Sequence, residues 1–285
     1  MAQQTSLRHI RGRITSIDSI KKVTHAMEMV AVAKMRAVEE KFNALKEYTR
    51  EMEGIVSRVI SGVDDECHPL LMRRHEKKRA ALCVVTSDTG LCGGYNNGVF
   101  QAAERFLKKR NAADVDIIAV GRKGASFFKR KRKTVARSFV ELGSLYPEKI
   151  YAELSSALTE MYASGAVDEV YIVYMKFESK SKSRAVIETY MGLDHLRSAK
   201  TLYIFEASPT ATVGDLIPLY LLESMRTILY SAYSVEQSYR TVAMEEATKN
   251  AKELQEGLIL LRNKVRQANI TKEILEISSS AEVLR

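Results

Sequence analysis

The chain has 285 residues, 46% hydrophobic and 28% charged, with a formal net charge of +9 and no tryptophan. That length allows one full core or two small ones, and the basic balance points to acidic partners: nucleic acid, an anionic membrane face or acidic protein loops. Arg8, Arg11 and Arg13 break up any signal-peptide core, and no window approaches about 18 uninterrupted apolar residues. Cys67, Cys83 and Cys92 without a secretory signal predict reduced thiols rather than a disulfide framework.

Residues 1–62 contain no proline and predict one long helix, with Thr5 or Ser6 to cap it and Gly62, Asp64, Asp65 and Pro69 to end it. Leu7, Ile10, Ile14 and Ile17 recur near the 3.5-residue period of a coiled coil. From Ala26 to Ala33 small or flexible apolar residues cover nearly every face. Such a segment should be surrounded, either by a seam plus a packed back face or by another protein. Residues 63–79 form a charged connector that includes the basic run from Arg73 to Arg79.

An α/β pattern follows. Strands are expected at Ala80–Thr86, Asp116–Val120, Val135–Val140 and Val170–Met175, separated by helices at Gly98–Arg110, Gly121–Lys131 and Glu148–Ala163. This alternation predicts a largely parallel, three-layer sheet. A polar turn at 178–183 then returns the chain by a hairpin into Ala185–Met191, and a short strand is expected at Leu202–Phe205.

From Leu219 to Arg285 there is no proline and a single glycine, Gly257. An unbroken helix there would run on the order of 100 Å. Leu254, Leu258, Leu261, Val265 and Ala268 are spaced 4, 3, 4 and 3, a seam that needs a partner, and the N-terminal helix supplies one. The expected fold is a mixed α+β and α/β chain. A long antiparallel coiled coil of the N- and C-terminal helices (1–69 and 211–285) carries an inserted Rossmann-like α/β domain (70–210).

The loop Ser87–Asn96, with Gly90, Leu91, Cys92, Gly93 and Gly94, links a strand to a helix, where nucleotide folds bind phosphate. It lacks both G-x-G-x-x-G and G-K-[ST] spacing, so it reads as a structural turn. Cys67, His68, His75 and Cys83 fit no finger spacing, and no metal site is expected. No nucleophile, base or carboxylate set emerges on one face, so no catalytic residue and no cofactor is assigned. Arg262 to Lys272 carries four cations and no acid, a basic helix end.

Three segments, in order, resemble the signatures of the gamma subunit of F-type ATP synthase: Thr24–Arg36, Ser87–Asn96, and Arg240–Ala251 continued by Arg266–Ile277. His25 and Thr241 stand where the family more often has lysine and methionine. The resemblance implies a central-stalk rotor, non-catalytic itself, whose paired helices turn inside a ring of three alpha and three beta subunits. Its α/β domain would rest on the membrane-embedded c-ring with the epsilon subunit, at the cytoplasmic face of a bacterial membrane, or in an organellar matrix or stroma. Carried over by motif, Met27, Lys34, Arg36, Arg266, Gln267 and Thr271 are expected to meet the alpha–beta ring, and Glu206 the c-ring. Two other readings stay open on the residues alone: a nucleic-acid-binding coiled coil, and a Rossmann-like enzyme using the Gly90–Gly94 loop.

Overall fold

A computed structural model describes residues 7–72, 79–110, 114–143, 148–179, 182–197 and 208–283. The expected strand Leu202–Phe205, the caps Thr5 and Ser6, and Glu206 lie outside the described residues. In chain order the elements are α1 (Leu7–Ser61), β1 (Ala80–Val85), α2 (Tyr95–Lys109), β2 (Val115–Val120), α3 (Arg122–Arg130) and β3 (Val135–Phe139). They continue with α4 (Glu148–Ala163), β4 (Glu169–Ser179), β5 (Lys182–Met191) and α5 (Pro209–Val283). The chain divides into two units: Met1–Ala31 with Thr241–Arg285, and Val32–Arg240. Both α1 and α5 contribute to each.

The second unit holds a five-stranded sheet in the order β3-β2-β1-β4-β5. The first four strands are mutually parallel and β5 returns antiparallel to β4. All of β1 is buried, as a central parallel strand covered on both faces should be. Its side chains alternate between two cores. Ala81, Cys83 and Val85 meet Leu154 of α4, Ile60 of α1 and Leu221 of α5. Ala80, Leu82 and Val84 meet Tyr95 and Val99 of α2 and Phe128 of α3. On the first face α1 and α5 are antiparallel neighbours, with Thr49 Oγ1 2.8 Å from Thr227 Oγ1. Arg197 closes the end of α1 by donating to the carbonyls of Ile60 (2.6 Å) and Val63 (3.1 Å), groups a helix C-terminus leaves open.

The last helix starts two residues ahead of the expected 211. It begins at Pro209 and runs through Pro218, ahead of the proline-free stretch at Leu219. Proline is suited to a first helical position, and Ser208 Oγ caps it by accepting from the Ala211 amide at 3.1 Å. Pro218 removes one backbone bond, yet Val213, Ile217 and Leu221 are buried around it and hold the turn together.

In the first unit, α1 and α5 form an antiparallel coiled coil. On α1 the inward residues are Leu7, Ile10, Ile14, Ile17, Lys21, Thr24, Glu28 and Ala31, alternating 3 and 4 apart. This extends the seam read from Leu7 to Ile17. On α5 the seam is a different one from that expected. It runs through Met244, Thr248, Ala251, Gln255, Leu258, Arg262 and Val265. Leu258 (9% exposed) and Val265 belong to it, but Leu254 is 59% and Leu261 42% exposed, and Ala268 is exposed too. Polar partners explain the change. Gln255 accepts from Lys21 Nζ (2.7 Å) and donates to Asp18 Oδ1 (3.1 Å), while Thr24 and Thr248 hydroxyls pair at 2.7 Å. A polar side chain with a partner across the seam can hold a seam position, where it fixes register at some cost in stability relative to leucine. Lys22, Lys21 and Gln255 all bond Asp18, which holds its carboxyl well below the usual carboxylate range.

Candidate functional site

Two regions carry the family-like segments, and each is built differently. In the coiled-coil unit the seam is narrow, so the outer faces of both helices stay uncovered. On α1 Ile20, Val23, Met27, Met29 and Val30 are exposed. On α5 every residue from Arg266 to Ser280 is exposed, and within or just before that stretch Leu260 and Ile277 are 71% and 70% open. An uncovered apolar surface along two helices is of the kind that partner proteins cover. The segment Ala26–Ala33 therefore divides its faces: Glu28 and Ala31 turn to α5, and the methionines and Val30 turn outward.

The expected contact residues fall in both units. Met27 is exposed on α1 of the coiled coil, and Arg266, Gln267 and Thr271 are exposed within two turns of α5. Thr271 Oγ1 donates to the Gln267 carbonyl at 3.0 Å. Lys34 and Arg36 belong to the sheet unit. Arg36 is exposed, whereas Lys34 is half-buried and its charge acts on Glu236 of α5. Motif spacing alone does not show that Lys34 lies within electrostatic reach of Glu236, because Glu236 is remote in sequence.

The second region is the loop after β1. Gly93 (φ 50°) and Leu91 (φ 63°) both take left-handed backbone, and Cys92 between them is buried while Leu91 points out. Asn96 ties the loop to the first turn of α2: its Oδ1 accepts from the Ser87 amide (3.1 Å), and its Nδ2 donates to Ser87 Oγ (2.8 Å). Asp88 accepts from the amides of Arg122 (2.9 Å) and Leu142 (2.6 Å), pinning the loop to the ends of two neighbouring strands. Gly121, φ 93°, passes so close to β1 that a Cβ there would lie 2.2 Å from the Thr86 carbonyl.

The crevice beyond this loop, between β1 and its neighbours, is where sheets of this order bind ligands. Here it is filled by α5. Arg240 Nη2 donates to Thr89 Oγ1 (3.0 Å), the Gly90 carbonyl (3.3 Å) and Glu236 Oε1 (2.7 Å). Tyr239 packs edge-on to Tyr95. Burial pushes the Glu236 carboxyl up, and Arg240 and Lys34 oppose the shift. The loop thus acts as an anchor for α5, a role its glycines do not announce; Arg240 was legible only as part of a motif. Cys92 Sγ accepts from Asn96 at 3.2 Å and burial pushes its thiol up, while Cys83 is pushed up to about 12. Neither is poised as a thiolate. Among the described residues no three His, Cys, Asp or Glu converge on a metal position, and no helix is long and apolar enough to cross a membrane.

A family model described as ATP synthase matches residues 6–284. The ATP synthase gamma chain of Heliobacterium modesticaldum is 37% identical over 289 residues, covering 98% of this chain and 99% of that one. The gamma chain of Protochlamydia amoebophila is 35% identical over 284 residues, with the same coverage. Among solved structures, a chain of the Euglena gracilis mitochondrial ATP synthase (OSCP/F1/c-ring) superposes with a TM-score of 0.72 at 18% identity, over 98% of this chain and 94% of that chain. One from the central stalk and c-ring of the Tetrahymena thermophila mitochondrial ATP synthase gives 0.62 at 22% identity, over 79% and 99%. These two likenesses speak to the fold, and the near-complete matches to gamma chains speak to descent: the chain belongs to the ATP synthase gamma-chain family.

Proposed function

We propose that the chain is the central-stalk rotor of an F-type ATP synthase, carrying rotation of the membrane c-ring to the three catalytic beta subunits. In reverse it would carry ATP-driven rotation to the ring. The observation that carries this reading is the coiled coil whose inner seam is satisfied while its outer apolar faces are open, from Ile20 to Val30 on α1 and from Leu260 to Ile277 on α5. A surface of that kind calls for an enclosing partner, and a ring of alpha and beta subunits supplies one. Met27, Lys34, Arg36, Arg266, Gln267 and Thr271 would be contacts with that ring. Glu206, just ahead of α5, would face the c-ring beside the epsilon subunit. The chain would supply no catalytic group, cofactor or metal ligand. In support, the Ser87 amide, the Asp88 carboxylate and the Thr89 hydroxyl of the loop are engaged by Asn96, by Arg122 and Leu142, and by Arg240. A peripheral attachment through the c-ring, on the cytoplasmic face of a bacterial membrane, completes the proposal.

The test is reconstitution with alpha and beta subunits and stripped membranes. Arg266→Glu combined with Gln267→Ala should weaken assembly and uncouple ATP turnover from ion pumping, with the chain still folded. Unchanged assembly together with unchanged pumping per ATP would remove these residues from the interface. Failure of the parent chain to assemble at all would remove the rotor reading.

A further inference from the structure

Residues 129–133 read Lys-Arg-Lys-Arg-Lys, and all five are exposed. They straddle the end of α3, of which Arg130 is the last helical residue. A helix C-terminus favours cations in its last turn, which accounts for Lys129 and Arg130. It does not account for Arg132. The Lys133 amide donates to the Phe128 carbonyl (3.0 Å) and the Arg132 amide to that of Lys129 (3.1 Å), the paired bonds of a Schellman turn. Arg132 occupies its left-handed position, φ 55°, where glycine is the usual residue and a side chain carries strain. The backbone calls for glycine there and holds a cation.

Beside this turn, α2 and α3 enclose a cavity of 240 Å³. Leu107 and Phe127 form an apolar floor, and Lys108, Lys131 and Lys133 reach its edge from two elements. Glu104 is the one acid in the lining, paired with Lys131 at 3.2 Å. Phe127 is stacked on Phe100 with ring centres 3.9 Å apart, and Lys131 Nζ lies 5.7 Å from its centre. The faces that a nucleic-acid base would stack on are therefore taken. Clustered exposed cations suit the phosphates of an anionic phospholipid surface.

From this we infer that the α3–β3 turn is a docking surface for an anionic phospholipid membrane. The run precedes β3, at the N-terminal end of the parallel strands. The first turns of α5 lie at that same end, since Tyr190, at the β5 end beside the start of β4, bonds the Leu221 carbonyl, while Phe177, late in β4, bonds Ser231. That this end faces a bilayer in the cell rests on the rotor reading, in which Glu206, just ahead of α5, meets the c-ring; the lipid affinity itself does not.

The experiment is flotation of the purified full chain with vesicles of phosphatidylcholine alone, or with about one third phosphatidylglycerol, at low and raised salt. Binding is expected to the anionic vesicles only and to fall with salt. Arg132→Gly relieves the left-handed strain, so it should keep or raise thermal stability while weakening anionic binding about fivefold. Lys131→Gln with Lys133→Gln should weaken it on the order of twentyfold, and Lys249→Gln with Lys252→Gln, two exposed cations elsewhere, by less than about twofold. Equal binding to both lipids, parental binding by the turn variants, or an equal loss in the Lys249 and Lys252 variant each overturns the inference. The assay contains neither c-ring nor alpha and beta subunits, so its failure leaves the rotor reading intact, and failed assembly leaves this one intact.

Discussion

Replacing Arg240 by alanine tests the anchor between the β1 loop and α5. The guanidinium side chain is 13% exposed and its partner Glu236 7%, so the pair is nearly dry. Removing the cation strands a buried carboxylate and leaves Thr89 and the Gly90 carbonyl without their donor, a loss of about 3–5 kcal/mol for a broken buried pair. The cost should depend on pH, and its sign follows from Glu236. Its folded pKa already lies above the ordinary 4.5 because burial penalises the charge, and Arg240 is the first influence holding it down. Without Arg240 the folded state keeps the Glu236 proton to higher pH than the unfolded chain does. Stability is then lost as pH rises from about 4.5 through the raised folded value. The full cost should be present near pH 8 and much of it absent near pH 5, and Glu236→Gln added to Arg240→Ala should recover part of it. All thirteen tyrosines lie between Val32 and Arg240, so urea unfolding followed by tyrosine near-UV signal reports the sheet unit alone. A cost that is the same at both pH values, or a double variant no better than the single one, would refute the reasoning.

Three further outcomes follow from the packing. Gly121→Ala should cost about 3 kcal/mol or more in the same urea assay, because φ 93° is strained for a side chain and the new Cβ meets Thr86 backbone at 2.2 Å. Gly257→Ala should do the reverse, stabilising the coiled coil by about 0.8–1 kcal/mol in a far-UV thermal melt, since nothing lies within 4 Å of the site and the helix interior favours alanine. Leu258→Ala should cost about 2 kcal/mol or more and Leu261→Ala under about 1 kcal/mol, read by hydrogen exchange along residues 241–265. Equal costs for the two leucines would return the seam to the register that hydrophobic spacing suggests.

Much of this architecture is written locally. Each strand expected from an apolar run bounded by glycine or polar residues forms where expected among the described residues, and α4 spans Glu148–Ala163 as read. Helix starts were harder. Tyr95 rather than Gly98 opens the body of α2, because Gly98 serves as a close-packing residue, its Cβ position lying 3.2 Å from Met175 Sδ, rather than as a boundary. The α5 seam escapes the sequence for a related reason: Gln255 and Arg262 count as polar in any periodicity, and only the Asp18 and Lys21 partners on another helix make Gln255 an interior residue. Of the candidate site, the outward Met27, Arg266 and Gln267 were visible as motif residues. The electrostatic reach of Lys34 to Glu236 is not, since it is a relation between helices.

The same distinction explains why a Rossmann-like sheet here need not handle a nucleotide. The strand order and the glycine-bearing turn after β1 are the features a phosphate site uses, and a reading confined to them would assign an enzyme. A phosphate would need free backbone amides at the loop and at the start of α2 and α3. Three of the amides around the crevice already have acceptors: Ser87 goes to Asn96, Arg122 to Asp88, and Gly124 to Thr86 Oγ1 at 2.9 Å. Arg240, a cation at the loop, is committed to Glu236 and the loop itself. Bringing a nucleotide into this crevice would break the buried pair and displace Tyr239 from Tyr95, so binding would have to overcome the cost worked out above for Arg240→Ala. The crevice holds Arg240 and Tyr239 of the chain's own last helix, so the sheet serves as a mount for α5.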